Sequence, residues 1–166
     1  MTAVSRQFNE NKAYAENRAY YLYEQACKKS FLRQFVMMLK QENNDLLDLQ
    51  TVLAADVCQN RVESVRQMVS LANIKGSANN GRTHDFDSQF RPKNQRTQSR
   101  WVGLATARSL GKRIPPVQLT KISGIPALED IYFVEDGHHR ISLAATMGED
   151  TIDAEVTIMH VTGGHA

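Results

Sequence analysis

The densest chemistry in the sequence lies in one run, Asp136-Gly137-His138-His139-Arg140, which sets a carboxylate, a residue without a side chain, two imidazoles and a guanidinium side by side. An apolar stretch, Ile131 to Glu135, precedes it, and a helix-prone stretch, His138 to Met147, follows and is closed by Gly148. A strand that turns through Asp-Gly into a helix leaves the N–H groups of the first helical turn without intrahelical acceptors, beside the positive end of the helix dipole. Such a place attracts an anion, above all a phosphate. Gly137 admits a positive φ and lets a ligand come close to the backbone. Arg140 offers a fork of donors for phosphate oxygens, and His138 and His139 add groups that exchange protons near neutral pH. Asp136 has three readings: a ligand for a divalent cation, an acceptor for a hydroxyl proton, or a helix cap. The run is therefore read as a phosphate site of Gly137, His138, His139 and Arg140, with Asp136, His138 and His139 as candidate catalytic groups.

Two other patches carry chemistry. His84, Asp85 and Asp87 sit close together in a long irregular stretch, and Mg²⁺ or another divalent cation beside a phosphate needs only one or two carboxylates. Asp85 and Asp87 thus join Asp136 as candidate metal ligands, against the alternative of a solvated turn with Asp caps. Arg91, Lys93, Arg96 and Arg100 could neutralise phosphates of a nucleic acid, whereas Trp101, at helical spacing from Ala105, reads as core. Residues 88–121 carry eight Lys or Arg and no acid, while residues 129–166 carry eight Asp or Glu and one strong base, Arg140. The chain is polarised if folding does not interleave the two segments.

The elements that must hold these groups follow from pattern. Residues 5–42 lack Gly and Pro and place Phe31, Phe35 and Leu39 on one face, which predicts one long or two consecutive amphipathic helices. Ser30 is a candidate cap for the second and Asn43-Asn44 a stop. Phe8, Tyr14, Tyr20, Tyr21 and Tyr23 are expected to cover the core. A short helix is expected within residues 45–57, a strand over 66–70 and a loop from Gly76 to Pro92. A helix from Gln95 to Leu110 should stop at Gly111, and Pro115-Pro116 should open a strand, Val117 to Ile122. A last strand, Thr151 to Met159, alternates Ile152, Ala154, Val156 and Ile158 with polar residues. Together these predict an α+β fold, a small mixed sheet with packed helices over residues 61–166, preceded by a helical extension over 1–60.

The stretch from Ile131 to Gly148, followed by Ile152-Asp-Ala-Glu-Val156, resembles the box of ParB/sulfiredoxin-fold proteins in which a Gly-x-x-Arg motif opens a helix ended by Gly. Arg91-Pro92, the Trp101 helix and Ile114-Pro115-Pro116-Val117 are similar too, so the resemblance spans roughly residues 65–159. It implies a ParB/sulfiredoxin-like fold and binding of nucleotide phosphates, from ATP or CTP, at Gly137, His138, His139 and Arg140. The catalytic cysteine of sulfiredoxins is absent, His138 standing in its place, so sulfiredoxin chemistry is not implied. No helix-turn-helix segment follows the box, so recognition of a centromere site is not implied either. The expected function is hydrolysis of a phosphoanhydride or phosphodiester bond by a nucleotide-binding domain acting on DNA. A small-molecule kinase is the alternative, because relatives with an Asp-Gly-His-x-Arg turn phosphorylate a free amino acid; a binding module without turnover is the other.

Composition sets the outer bounds. With 166 residues and 42% hydrophobic content, the chain suffices for one core. Its apolar runs are short, and no basic segment followed by an apolar one opens the chain, so neither a membrane span nor a signal peptide is expected and a cytoplasmic protein is. Cys27 and Cys58 stand alone and read as reduced, helix-borne packing residues. The N-terminal helices are the expected surface for a protein partner or a second copy.

Overall fold

The computed structural model describes residues 3–53 and 58–162. Its elements are helix α1 (Ala3–Lys40), strand β1 (Leu47–Asp48), helix α2 (Leu49–Val52), strand β2 (Cys58–Ser70), strand β3 (Ile74–Ser77), helix α3 (Gln98–Ser109), strand β4 (Val117–Ser123), strand β5 (Tyr132–Asp136), helix α4 (His138–Thr146) and strand β6 (Thr151–Thr162). The strands form one mixed sheet in the order β1-β3-β5-β4-β6-β2. β4 lies between β5, antiparallel to it, and β6, parallel to it, so the phosphate-prone turn after β5 opens near the middle of the sheet. The fold is the expected α+β mixture with a mixed sheet.

Alternating side chains explain the layers. Val117 and Leu119 of β4, Val134 of β5 and Ala154 and Val156 of β6 face one core, closed by Phe86, Phe90 and Ile141. Phe133 and Ile122 face the other side, with Leu49, Leu128 and Val161. A third cluster joins α1 to α3 and α4 through Ala19, Tyr23, Trp101, Val102, Ala105 and Leu143. Trp101 is fully buried, as its spacing predicts, and its indole N–H donates to Ser142 Oγ at 2.9 Å. Tyr23 meets it edge-on and donates from its hydroxyl to the Asn94 carbonyl at 2.8 Å. The amino-terminal helix is thus wedded to the α3 face through shared core.

Several local expectations change. α1 runs unbroken, so Ser30 caps nothing; it is a buried mid-helix residue whose hydroxyl has no hydrogen-bond partner among the described residues. The helix stops at Gln41, in left-handed conformation, before Asn43-Asn44. Of the aromatic residues on its first half only Tyr23 reaches the core; Phe8, Tyr14, Tyr20 and Tyr21 are exposed, and so are Phe31, Leu32, Phe35 and Leu39. Their periodicity is real but faces solvent. The expected helix within residues 45–57 shrinks to α2 because Leu47–Asp48 pair with Gly76–Ser77 as a sheet edge; residues 54–57 lie outside the described set. Gly76 belongs to a strand and not to a loop, and a Cβ there would stand 2.5 Å from the Leu47 carbonyl oxygen and from Phe133. β2 reaches back to Cys58, which is therefore strand-borne, while Cys27 lies in α1 as expected. The charge segments interleave: Arg108 pairs with Glu149, and β4 of the basic segment lies in the sheet between β5 and β6 of the acidic one.

Candidate functional site

Asp136 ends β5, an interior strand of the sheet, and Gly137 turns the chain with φ +112° into α4. Glycine is required twice over. The backbone is left-handed, and a Cβ would come within 2.7 Å of Val117 Cγ1. Gly137 offers α4 no side-chain cap, so the leading amides of the helix open into a cavity of ≈ 380 Å³. Arg82, Arg100, Leu104, Pro115 and the run from Asp136 to Arg140 line it. Four of these come from outside the run, two of them the arginines Arg82 and Arg100, and neither Arg82 nor Leu104 stood out in the sequence. The only signal for Arg82 was its place next to Gly81 in an irregular loop, the kind of segment on which binding residues often sit.

Arg140 does not project into the cavity as a free fork. Its guanidinium donates through Nη1 to the carbonyl oxygens of Pro115 and Pro116 and through Nη2 to Asp136, and its side chain is only 13% exposed. It fastens the β4 entry to the start of α4 and pairs with Asp136. Asp136, 62% exposed, is turned toward solvent at the cavity rim. Arg100 is exposed and, among the described residues, has no ion-pair partner. Arg82 donates to Asp85 at 3.2 Å.

Both histidines are buried side by side under the cavity. His138 Nε2 shares a hydrogen bond of 2.8 Å with Ser77 Oγ, and its ring stacks on Phe86 at 6.0 Å. His139 meets Phe86 edge-on at 5.3 Å. Burial, reinforced by the positive charge of Arg82, lowers both imidazoles from 6.5 to about 4. At neutral pH they are uncharged donors and acceptors, and a bound dianion would pull their proton affinity back up.

The candidate metal ligands do not converge. Asp85 is buried, and burial alone would raise its carboxyl; donation from Asn94 at 3.0 Å, Arg96 at 2.6 Å and Arg82 outweighs that and holds it below the usual range. Asp87, also buried, accepts the amides of Gln89 and Arg91 through Oδ1, each at 2.9 Å. Both are internal struts of the loop, and His84 points outward. Among the described residues no group of three His, Cys, Asp or Glu could hold a metal ion, which leaves Asp136 as the one carboxylate on the cavity. The four basic candidates for nucleic acid are also dispersed. Lys93 pairs with Asp45 at 2.5 Å, Arg96 with Asp85, Arg100 lines the α4 cavity and Arg91 lines a different one.

Comparison of the chain with family models, curated proteins and solved structures gives no match. Among the described residues no helix is long and apolar enough to cross a membrane.

Proposed function

We propose that the chain is a ParB/sulfiredoxin-like domain that binds the phosphates of a nucleotide, ATP or CTP, in the α4 cavity and hydrolyses a phosphoanhydride or phosphodiester bond. The observation that carries this reading is the convergence of uncapped α4 amides, an unpaired Arg100 and two neutral imidazoles on one cavity. Preorganised amides and a fixed cation hold charge that grows on a phosphoryl group without having to reorganise during the reaction. Gly137 brings the amides forward, Arg100 takes the role first given to Arg140, and Arg140 positions Asp136. Asp136 holds the attacking water by accepting its proton in a hydrogen bond. The same carboxylate suits an Mg²⁺ carried in on the nucleotide, because that ion keeps several waters and needs few protein ligands. When bound, Mg²⁺ would supply charge neutralisation at the phosphates.

The volume, ≈ 380 Å³, falls at the small end of ligand pockets and favours a free nucleotide over DNA. The dispersed basic residues favour it too, since only Arg100 of the four faces the site. A thermal-shift series tests the reading: ATP, CTP and inorganic pyrophosphate, each with and without Mg²⁺. A nucleotide at about 100 times its dissociation constant should stabilise the fold by about 2.7 kcal/mol. No stabilisation by any of the three would remove the phosphate reading altogether.

A further inference from the structure

A larger cavity, ≈ 660 Å³, lies away from the α4 N-terminus, between α1, the start of β3, the turn 87–91 and the C-terminal end of α4. Lys29 of α1, Lys75 of β3 and Arg91 of the turn all line it. Among the described residues none of these three side chains has an ion-pair or hydrogen-bond partner. The one acid on the wall, Glu149, is engaged by Arg108. Three distant parts of the chain therefore bring uncompensated positive charge to a single concavity, which concentrates potential there and costs stability unless an anion is present.

The turn that carries Arg91 is held in a conformation that a bulky side chain rarely takes. Phe90 has φ +57° and is buried, and the fully buried Asp87 pins it by accepting the amides on either side, those of Gln89 and Arg91. The Phe90 amide in turn donates to the Asp87 carbonyl at 2.8 Å. A strained turn maintained by a buried carboxylate is typical of a segment shaped to present something. The last carbonyls of α4 nearby are taken up by the amides of Gly148 and Glu149, so the negative end of that helix is already satisfied.

We propose that this cavity is a second anion site that takes a small phosphorylated molecule, separate from the ligand of the α4 amides. Arg91 supplies the two-point fork and the two lysines supply point charges for a group bearing two or more negative charges. Phe90 and Tyr21 give the carbon part of the ligand an apolar wall. The volume suits a small molecule. A nucleic-acid strand would need a continuous basic track, and the neighbouring Lys93 and Arg96 are already neutralised by Asp45 and Asp85.

The test is a titration of the full chain with inorganic pyrophosphate at fixed ionic strength, followed by amide NMR. Saturable shifts are expected at Gln89, Phe90 and Arg91, and they should persist in Arg100→Ala, which affects only the α4 cavity. The double change Lys75→Ala with Arg91→Ala should weaken that response by about tenfold or more, the scale of a lost charge-assisted hydrogen bond, while leaving shifts at His138 to Arg140 in place. Lys12→Ala with Lys28→Ala, an equal loss of exposed charge on α1, should change nothing, and melting curves establish that each variant is folded. No saturable shift at the three amides, or equal weakening in the control pair, overturns the proposal. Tighter saturable binding of a single-stranded oligonucleotide at the same amides overturns it in favour of nucleic acid.

Discussion

The buried imidazoles make stability depend on pH in a window that can be worked out. In the unfolded chain each histidine takes a proton near 6.5; in the folded protein neither does so until about 4, because burial and Arg82 oppose the charge. Between those values the unfolded state binds more protons, so stability falls as pH drops through 6.5 and is fully lost, for this contribution, below 4. At about pH 5 the loss for His138 is about 2 kcal/mol relative to about pH 7.5. His139 adds about 1 to 2 kcal/mol, less because its side chain is somewhat less buried than that of His138. Asp85 does not blur the window, since its hydrogen-bond donors lower its carboxyl from a value already below that range. Urea unfolding at the two pH values should show the wild type weakened by about 3 kcal/mol at the lower one. His138→Gln, whose amide still reaches Ser77, removes one titration and should shrink that difference by about 2 kcal/mol. Equal pH dependence in variant and wild type, or none in either, would refute the argument that both rings are buried and neutral.

Arg140→Ala should lower stability by about 2 kcal/mol, because it strips the Pro115 and Pro116 carbonyls and Asp136 of their donor; an unchanged melting temperature contradicts the strut role. Gly137→Ala places a Cβ against Val117 in a left-handed conformation and should cost about 1–3 kcal/mol, read from urea midpoints. Asp136→Asn keeps the size of the residue and an oxygen for Arg140, so a merely structural Asp136 would leave hydrolysis unchanged, whereas a carboxylate that orients water loses turnover with nucleotide affinity held within a few-fold. Phosphate release at matched Mg²⁺ separates the two outcomes.

The carboxy-terminal half was legible because its signals are local. Alternation from Ile152 to Ile158, glycines at 111, 137 and 148 and the prolines at 115 and 116 each act within a few residues, and the elements fall where those residues put them. What could not be read depends on distant partners. Nothing near Leu47 announces that it will pair with Gly76, and nothing near Phe31 reveals whether its apolar face meets core or solvent. The same division runs through the candidate site. The turn Asp136-Gly137 with its two histidines was evident, but the use of Arg140 depends on carbonyls more than twenty residues upstream. Only the fold brings Arg82 and Arg100 to the cavity and turns Asp85 and Asp87 inward to hold their own loop.

The central claim, a phosphate site at the start of α4 served by Arg100, is tested most directly by calorimetric titration of pyrophosphate, ATP and CTP into the wild type and Arg100→Ala. The account predicts saturable binding for the wild type, with heat retained when Lys75 and Arg91 are both replaced by alanine. It also predicts a weakening of about tenfold to a hundredfold in Arg100→Ala, matching the loss of a charge-assisted contact. Undiminished binding in Arg100→Ala, with amide shifts confined to residues remote from Gly137 to Arg140, would contradict it.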